Sequence, residues 1–338
     1  MLDIDKVMST ICGTIPKGTS FEPSSIELTD YIASTTKPRL EKTTLVSEEE
    51  HEKWAQKQLI NPKYPLESQV IAIDTTNFTL GNLPDGFVGA IRASVIIKPK
   101  GTTTHKLEHY GPYLIAVTNQ NKDQLYRATH KVVYGKEPKV SAPNCYKTLD
   151  RMRNFLERHI QLEAAKTYKD TLMLIDGSLI GGFVGDPTFV IRRIIDDATA
   201  NNNSIIAISK STGLTLQKTQ RNILTLLDDT CGPCYKENIK NHITQNQNRY
   251  MGEIYVAKLT PLGEPFRIDI PENSPVSHRD LLNQVAGLAG DYGYPEELKL
   301  AHMTCVLSAI NIIELQSAAI ALHGLIMKEQ LRPKLFPL

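Results

Sequence analysis

The sequence predicts an α/β fold, a mixed β-sheet with flanking helices, on three observations. Two short apolar, β-branched runs each stop at an acidic residue, Val70-Ile-Ala-Ile-Asp74 and Thr171-Leu-Met-Leu-Ile-Asp176. Between them, Leu149, Met152, Leu156, Ile160 and the stretch Leu162 to Ala165 recur at helical spacing, with no interior Gly or Pro from Asn144 to Lys166. After the second run, strand-like and helix-like segments alternate.

Residues 1 to about 66 are polar and rich in Ser, Thr and Glu, and Pro16, Pro23 and Pro38 break any long helix before the charged stretch Ser47 to Gln58. This segment reads as an accessory arm, and 67–330 as the main domain. Strands are expected at Val70 to Asp74, Gly86 to Ile97 and Tyr113 to Thr118, the last one after a Gly-Pro turn, so that a meander follows the first strand. The amphipathic helix from Asn144 comes next, then Thr171 to Asp176, a helix through Arg192 to Ala200, and a strand at Ser204 to Lys210. Tyr255 to Leu259 and Phe266 to Ile270 read as a hairpin around Pro261-Leu-Gly-Glu. Ser277 to Ala289 and Ile310 to Gln330 read as helices, the second carrying small residues from Ala318 to Gly324 that suit close packing in the core or between subunits.

The 338 residues suffice for one large domain or two smaller ones with a real core. A hydrophobic fraction of 41% with 22% charged residues excludes a disordered or fibrous chain. Lys and Arg balance Asp and Glu to a net charge of +1, so any contact with nucleic acid must be local. No apolar run reaches the length of about 18 residues that a membrane span needs, and Met1-Leu-Asp-Ile-Asp-Lys lacks the basic start of a secretory signal. A cytoplasmic protein without a membrane is expected. The five cysteines are odd in number and scattered, which excludes a secreted disulfide framework.

Carboxylates at strand ends matter because ligands of open α/β sheets gather there. Asp74 and Asp176 are therefore expected to face one another. A hard divalent cation needs several oxygen ligands, and two strand aspartates with a carboxylate from a packed helix supply them on stiff supports. Asp150, Glu157 and Glu163 are the helix candidates. Asp150 and Glu157, seven apart, share a face, and Glu157 lies nearest the middle of the helix. Such a site suits phosphodiester hydrolysis, in which one or two ions activate water, polarise phosphorus and stabilise the leaving oxygen.

Leu172-Met-Leu-Ile-Asp-Gly-Ser-Leu179, the preceding acidic helix and the upstream strand aspartate together resemble the NurA family of nucleases. So do Ile206-Ala-Ile-Ser-Lys210, Phe266-Arg-Ile-Asp-Ile270, and Gly293-Tyr-Pro295 followed by Leu298-Lys-Leu-Ala-His-Met303. These matches run from about residue 70 to 325. The resemblance implies an RNase H-like core and manganese-dependent (or magnesium-dependent) exonucleolytic hydrolysis of DNA, with single-strand endonuclease activity open beside it. It also implies a homodimer and a hexameric HerA-type translocase as partner, for end processing, repair or defence. Residue by residue, it makes Asp74, Glu157 and Asp176 the metal-binding catalytic carboxylates and His302 the C-terminal active-site histidine, a metal ligand or a proton donor to the leaving oxygen. Glu163 competes with Glu157; the family spacing favours Glu157, 19 residues before Asp176, over Glu163, 13 before it. One departure stands out: Thr75 and Thr76 follow Asp74 where the family carries a small pair such as Gly-Ser. Their hydroxyls remain able to donate to a phosphate. The departure also motivates the alternative of a non-catalytic binding or assembly subunit in a translocase complex.

Lys210, Lys258 and Arg267 are the expected phosphate contacts. Two other motifs carry no function on this reading. Cys231-Gly-Pro-Cys234 lacks the strand-then-helix setting that activates a redox thiol, and it has no second pair for zinc. His105-Lys-Leu-Glu-His109 matches a metalloprotease string, but Gly101 and Gly111-Pro112 leave no room for the required helix.

Overall fold

The computed structural model describes residues 17–24, 44–48, 56–64, 66, 68–182, 187–228 and 230–328. Most of the charged stretch after Ser47, Cys12, and the end of the C-terminal helix expected to reach Gln330 lie outside them.

The first long strand, β4 (Gln69–Leu83), follows three short ones, β1 (Ser20–Pro23), β2 (Thr44–Val46) and β3 (Gln58–Leu59). The strand expected to stop at Asp74 runs on for nine more residues, because Thr75, Thr76, Phe78 and Thr79 are themselves strand formers. From Val70 to Leu83 it pairs with antiparallel β5 (Gly86–Lys98) across the turn at Pro84 and Asp85, with an irregularity between Thr79 and Gly81. β6 (Lys106–Thr118) pairs antiparallel with β5. It begins earlier than the sequence suggested: Gly111-Pro112 is no turn before the strand but an irregularity within it, where the register shifts between Ile91 and Ala93. An edge strand tolerates a proline that donates no ladder hydrogen bond.

Helices α1 (Lys122–Tyr134) and α2 (Cys145–Thr167) follow, then β7 (Thr171–Asp176), α3 (Thr188–Ala200), β8 (Ser204–Ser209) and β9 (Leu214–Leu216). Sequence patterning had missed α1 and started α3 late. Asn144 caps α2 by accepting a hydrogen bond from the Lys147 N–H at 2.9 Å. β10 (Cys234–Lys236), β11 (Glu253–Lys258) and β12 (Pro265–Ile270) extend the sheet, and β11 and β12 form the expected hairpin. The chain then forms α4 (His278–Gly287), α5 (Glu296–Cys305), α6 (Ala309–His323) and β13 (Ile326–Met327). Helix α6 stops at Gly324, whose left-handed φ of 59° ends it short of the expected Gln330. The apolar stretch Glu296–His323 is broken at Val306 to Ser308 into helices of 10 and 15 residues, each shorter than the roughly 20 needed to cross a bilayer.

The main sheet has the order β6-β5-β4-β7-β8-β12-β11-β10-β3. β4, β7 and β8 are parallel; β8 and β12, and β12 and β11, pair antiparallel. On one face, Ile71, Ile73, Met173 and Ile175 join α1, α2 and α3 residues such as Tyr126, Met152, Phe155 and Ile194 in one apolar cluster. On the other, Val70, Ala72, Leu172 and Leu174 join Leu281, Val285, Leu298 and Ala301 of α4 and α5. Pieces of the N-terminal arm are sewn into this body: β1 pairs with the far half of β4 and with β13, β2 with β9, and β3 with β10.

One consequence of the topology places the site. Along its β7 side, β4 is paired only up to Ile73, opposite Ile175, and β1 takes up that edge again at Gly81. Between these points no strand among the described residues covers the edge, and residues of both helical layers, Glu157 and His302, reach β4 there.

Candidate active site

Asp74 and Asp176 sit on the rung just beyond the last β4–β7 pair, Ile73 with Ile175. Strand alternation turns both toward the face covered by α5, the face of Ala72 and Leu174. Adjacent parallel strands lie about 4.8 Å apart, so the two carboxylates rise side by side. After Asp176 the chain turns sharply at Gly177, whose φ of +113° L side chains rarely adopt, and the Gly177 N–H donates to the Ile208 carbonyl at 2.9 Å.

Helix α5 crosses above Asp74. His302 Nδ1 lies 2.7 Å from Asp74 Oδ2, and the Cys305 thiol lies 3.5 Å from the same oxygen. Ligand atoms of these three residues fall within 4.8 Å of one another. The hydrogen bond to Asp74 is the largest influence on His302; with the nearby negative charges it outweighs burial and Lys210 and raises the imidazole pKa above its ordinary value. Burial, reinforced by Asp74, pushes the Cys305 pKa far up. Cys305 is therefore a neutral thiol donating to Asp74, not a thiolate. It was not singled out in the sequence, although it stands three residues after His302, on the same helical face.

Lys210, just past β8, donates to Asp176 Oδ2 at 2.9 Å and lies 4.5 Å above the ring of Tyr294. Burial first, then the nearby charge of Asp176, holds the Tyr294 hydroxyl pKa well above its usual range, so the phenol stays protonated. Tyr294 is a second residue whose place at the site only the fold reveals; its signal was the Gly-Tyr-Pro string.

Glu157 approaches from the other layer. Its Oε2 accepts from Thr75 Oγ1 at 2.9 Å and from Arg153 at 3.3 Å, and its Oε1 accepts from Gln161 at 3.2 Å. Arg153 also donates to the Thr75 carbonyl at 3.1 Å, filling the unpaired edge of β4. The Thr75 hydroxyl is thus engaged by Glu157, not left for a phosphate as the sequence suggested. Of the other helix carboxylates, Glu163 pairs with Lys166 at 2.8 Å and Asp150 with Asn77 at 2.9 Å.

The expected phosphate contacts divide. Lys210 is half exposed at the cleft. Lys258 donates to the Thr230 carbonyl at 3.1 Å, on β11, two strands beyond β8. Arg267 is fully buried and forked on Asp269, with distances of 2.7 and 2.8 Å. It has no open face for a phosphate, and the expectation for it is corrected: on β12 it alternates with the core residues Phe266 and Ile268, and the buried Asp269 is what it serves. Cys231 is exposed and Cys234 buried, both as free thiols, with a strand instead of a helix after them. His105 and His109 flank the start of β6, where His105 contacts buried Glu297 at 3.3 Å.

The donor set suits a hard divalent cation. The Asp74 carboxylate of β4 and the His302 imidazole stand together with a sulfur that is held protonated, and the Asp176 carboxylate of β7 ends the adjacent strand. The fold and cleft define a mixed-sheet α/β protein with a carboxylate-histidine centre at the end of a central strand. The chain belongs to the NurA domain family, whose model matches residues 68–307. The structure is similar to the crystal structure of the NurA nuclease from Sulfolobus solfataricus, with 16% identity, a TM-score of 0.47, and coverage of 80% of this chain and 88% of that one. It is also similar to a crystal structure of NurA with manganese, at 9% identity and a TM-score of 0.45, covering 87% of this chain and 96% of the other. No curated protein matches the chain.

Proposed function

We propose that this chain is a cytoplasmic, metal-dependent DNA nuclease, in which Asp74, Glu157 and Asp176 hold one or two Mn2+ or Mg2+ ions and His302 assists. The carrying observation is the placement of Asp74 and Asp176 on one rung, with His302 Nδ1 2.7 Å from Asp74. Supporting it, the order β6-β5-β4-β7-β8, with β5 antiparallel to both neighbours, suits an RNase H-like core.

A bound divalent ion supplies Lewis-acid activation of water and of the scissile phosphodiester. The chain's own groups do the rest. Asp74 fixes the His302 ring through Nδ1, which leaves Nε2 to hand a proton to the leaving oxygen. Lys210, which donates to Asp176 and lies over the Tyr294 ring, offsets phosphate charge. Arg153 and Thr75 hold the Glu157 carboxylate against β4, at the residue next to Asp74. Glu163, committed to Lys166 at the surface, is left out of this set.

Action from DNA ends, assembly as a homodimer and partnership with a hexameric HerA-type translocase complete the proposal, and they rest on family membership. The test is cleavage of end-labelled single- and double-stranded DNA by wild type and Asp176→Asn, with manganese, magnesium or chelator. Metal-dependent cleavage that the substitution abolishes is expected. Absence of cleavage under every metal, alone and with the translocase, would instead favour the non-catalytic subunit that the Asp74-Thr-Thr sequence suggests.

A further inference from the structure

Strand β12 has two unlike faces. Phe266, Ile268 and Ile270 fill the core under α4 and α5, while Arg267 and Asp269, on the opposite side, form an ion pair with side chains 0% and 2% exposed. A buried pair of charges is costly unless its remaining hydrogen-bonding positions are used, so its partners show what it is for. Asp269 Oδ2 accepts the backbone N–H of Leu179 at 2.9 Å, three residues after Asp176. Arg267 Nη1 donates to Thr212 Oγ1 at 3.3 Å, two residues after Lys210, and its guanidinium lies over the Tyr250 ring at 5.3 Å. The Leu179 segment is held from its other side as well, since the Met251 N–H donates to the Leu179 carbonyl at 2.8 Å and Gly181 bonds to Arg249. One side-chain pair therefore joins the loop after β7, which starts from Asp176, to the loop after β8, which starts from Lys210.

We propose that Arg267 and Asp269 are the positioning pair of this site, setting the Asp176 carboxylate and the Lys210 ammonium at a fixed separation. The inference rests on the nuclease reading above. An apolar pair on β12 would leave the Leu179 N–H buried without an acceptor, so the loop would shift and take Asp176 with it. Arg267, expected from the sequence to meet phosphate itself, acts on phosphate through Thr212 and Lys210.

The experiment measures Mn2+ binding by the signal of free Mn2+ in electron paramagnetic resonance, thermal unfolding, and kcat and KM on DNA. It compares wild type, Asp269→Asn, Thr212→Val, Thr212→Ser and Asp176→Asn. Asp269→Asn is expected to unfold cooperatively while binding Mn2+ about tenfold more weakly, the effect of removing a group that orients a metal ligand. Thr212→Val is expected to keep Mn2+ affinity but raise KM several-fold with little change in kcat, and Thr212→Ser, which keeps the hydroxyl, to restore KM. A folded Asp269→Asn with wild-type Mn2+ affinity overturns the positioning role. Should Asp269→Asn fail to fold, a wild-type KM in Thr212→Val overturns it. Undiminished Mn2+ binding by Asp176→Asn overturns the metal site and this inference with it.

Discussion

The contact between His302 and Asp74 ties the stability of the cleft to pH. The folded-state pKa of His302 is raised above its ordinary 6.5, mainly by the hydrogen bond to Asp74. Its contribution to stability is therefore complete below the unfolded-state value and is lost as pH climbs through the raised folded value. In chelator, wild type should lose thermal stability relative to His302→Gln as pH rises from about 6 upward. Parallel melting profiles for the two proteins would remove the linkage. A bound cation competes with the imidazolium for Asp74, so Mn2+ should bind more tightly as pH increases over the same range, as titration at several pH values can measure. At this scale the strand settings of Asp74 and Asp176 were legible, because the apolar runs that lead to them are local. Arg267 misled, because the apolar residues on either side of it are those of any half-buried strand, and only the sheet shows that its polar face is also covered.

Helix α2 holds Arg153 and Glu157 against the open edge of β4, so its stability bears on the site. Asn144→Ala removes the N-cap acceptor for Lys147 and should cost about 1 kcal/mol by denaturant unfolding, with Mn2+ affinity nearly kept, because the cap lies 13 residues from Glu157. Gly287 closes α4 against the arm segment before β4: a Cβ there would stand 2.0 Å from the Lys63 carbonyl oxygen. Gly287→Ala should therefore destabilise the protein by about 1–3 kcal/mol, the range for overpacking, and loosen the 56–64 segment to proteolysis. Unchanged stability and protease resistance would show that this segment yields freely. Strands and helices with clean periodicity were legible in the sequence. The misplaced boundaries, β4 past Asp74 and β6 through Gly111-Pro112, arose where pairing partners distant in sequence extend a strand beyond its apolar part.

For the whole molecule, a net charge of +1 gives no general attraction to DNA, so phosphate contacts must come from a few placed cations. Lys210, half exposed and paired with Asp176, is one such cation. Lys210→Met should reduce the slope of log K against log salt by about one unit for DNA binding, and binding weakly on every sequence. An unchanged slope would move the phosphate contact elsewhere. The same weak field predicts poor processivity by the isolated chain on long duplex DNA and a marked gain with a ring translocase; equal processivity with and without one would contradict that partnership.

By itself, the sequence determined the α/β class, the order of the main strands and helices, and the family, because apolar periodicity and the Asp-Gly-Ser-Leu and Gly-Tyr-Pro strings are properties of contiguous residues. Tertiary structure alone decided that β4 leaves an unpaired edge beside Asp74, and that Thr75 serves Glu157. It also decided that Cys305 and Tyr294 stand in the cleft, and that Arg267 is locked onto Asp269. All but the last depend on contacts between segments separated by tens to hundreds of residues, and the last, a pair two residues apart, depends on what covers that face of the strand; side-chain type is compatible with several environments and only packing selects one.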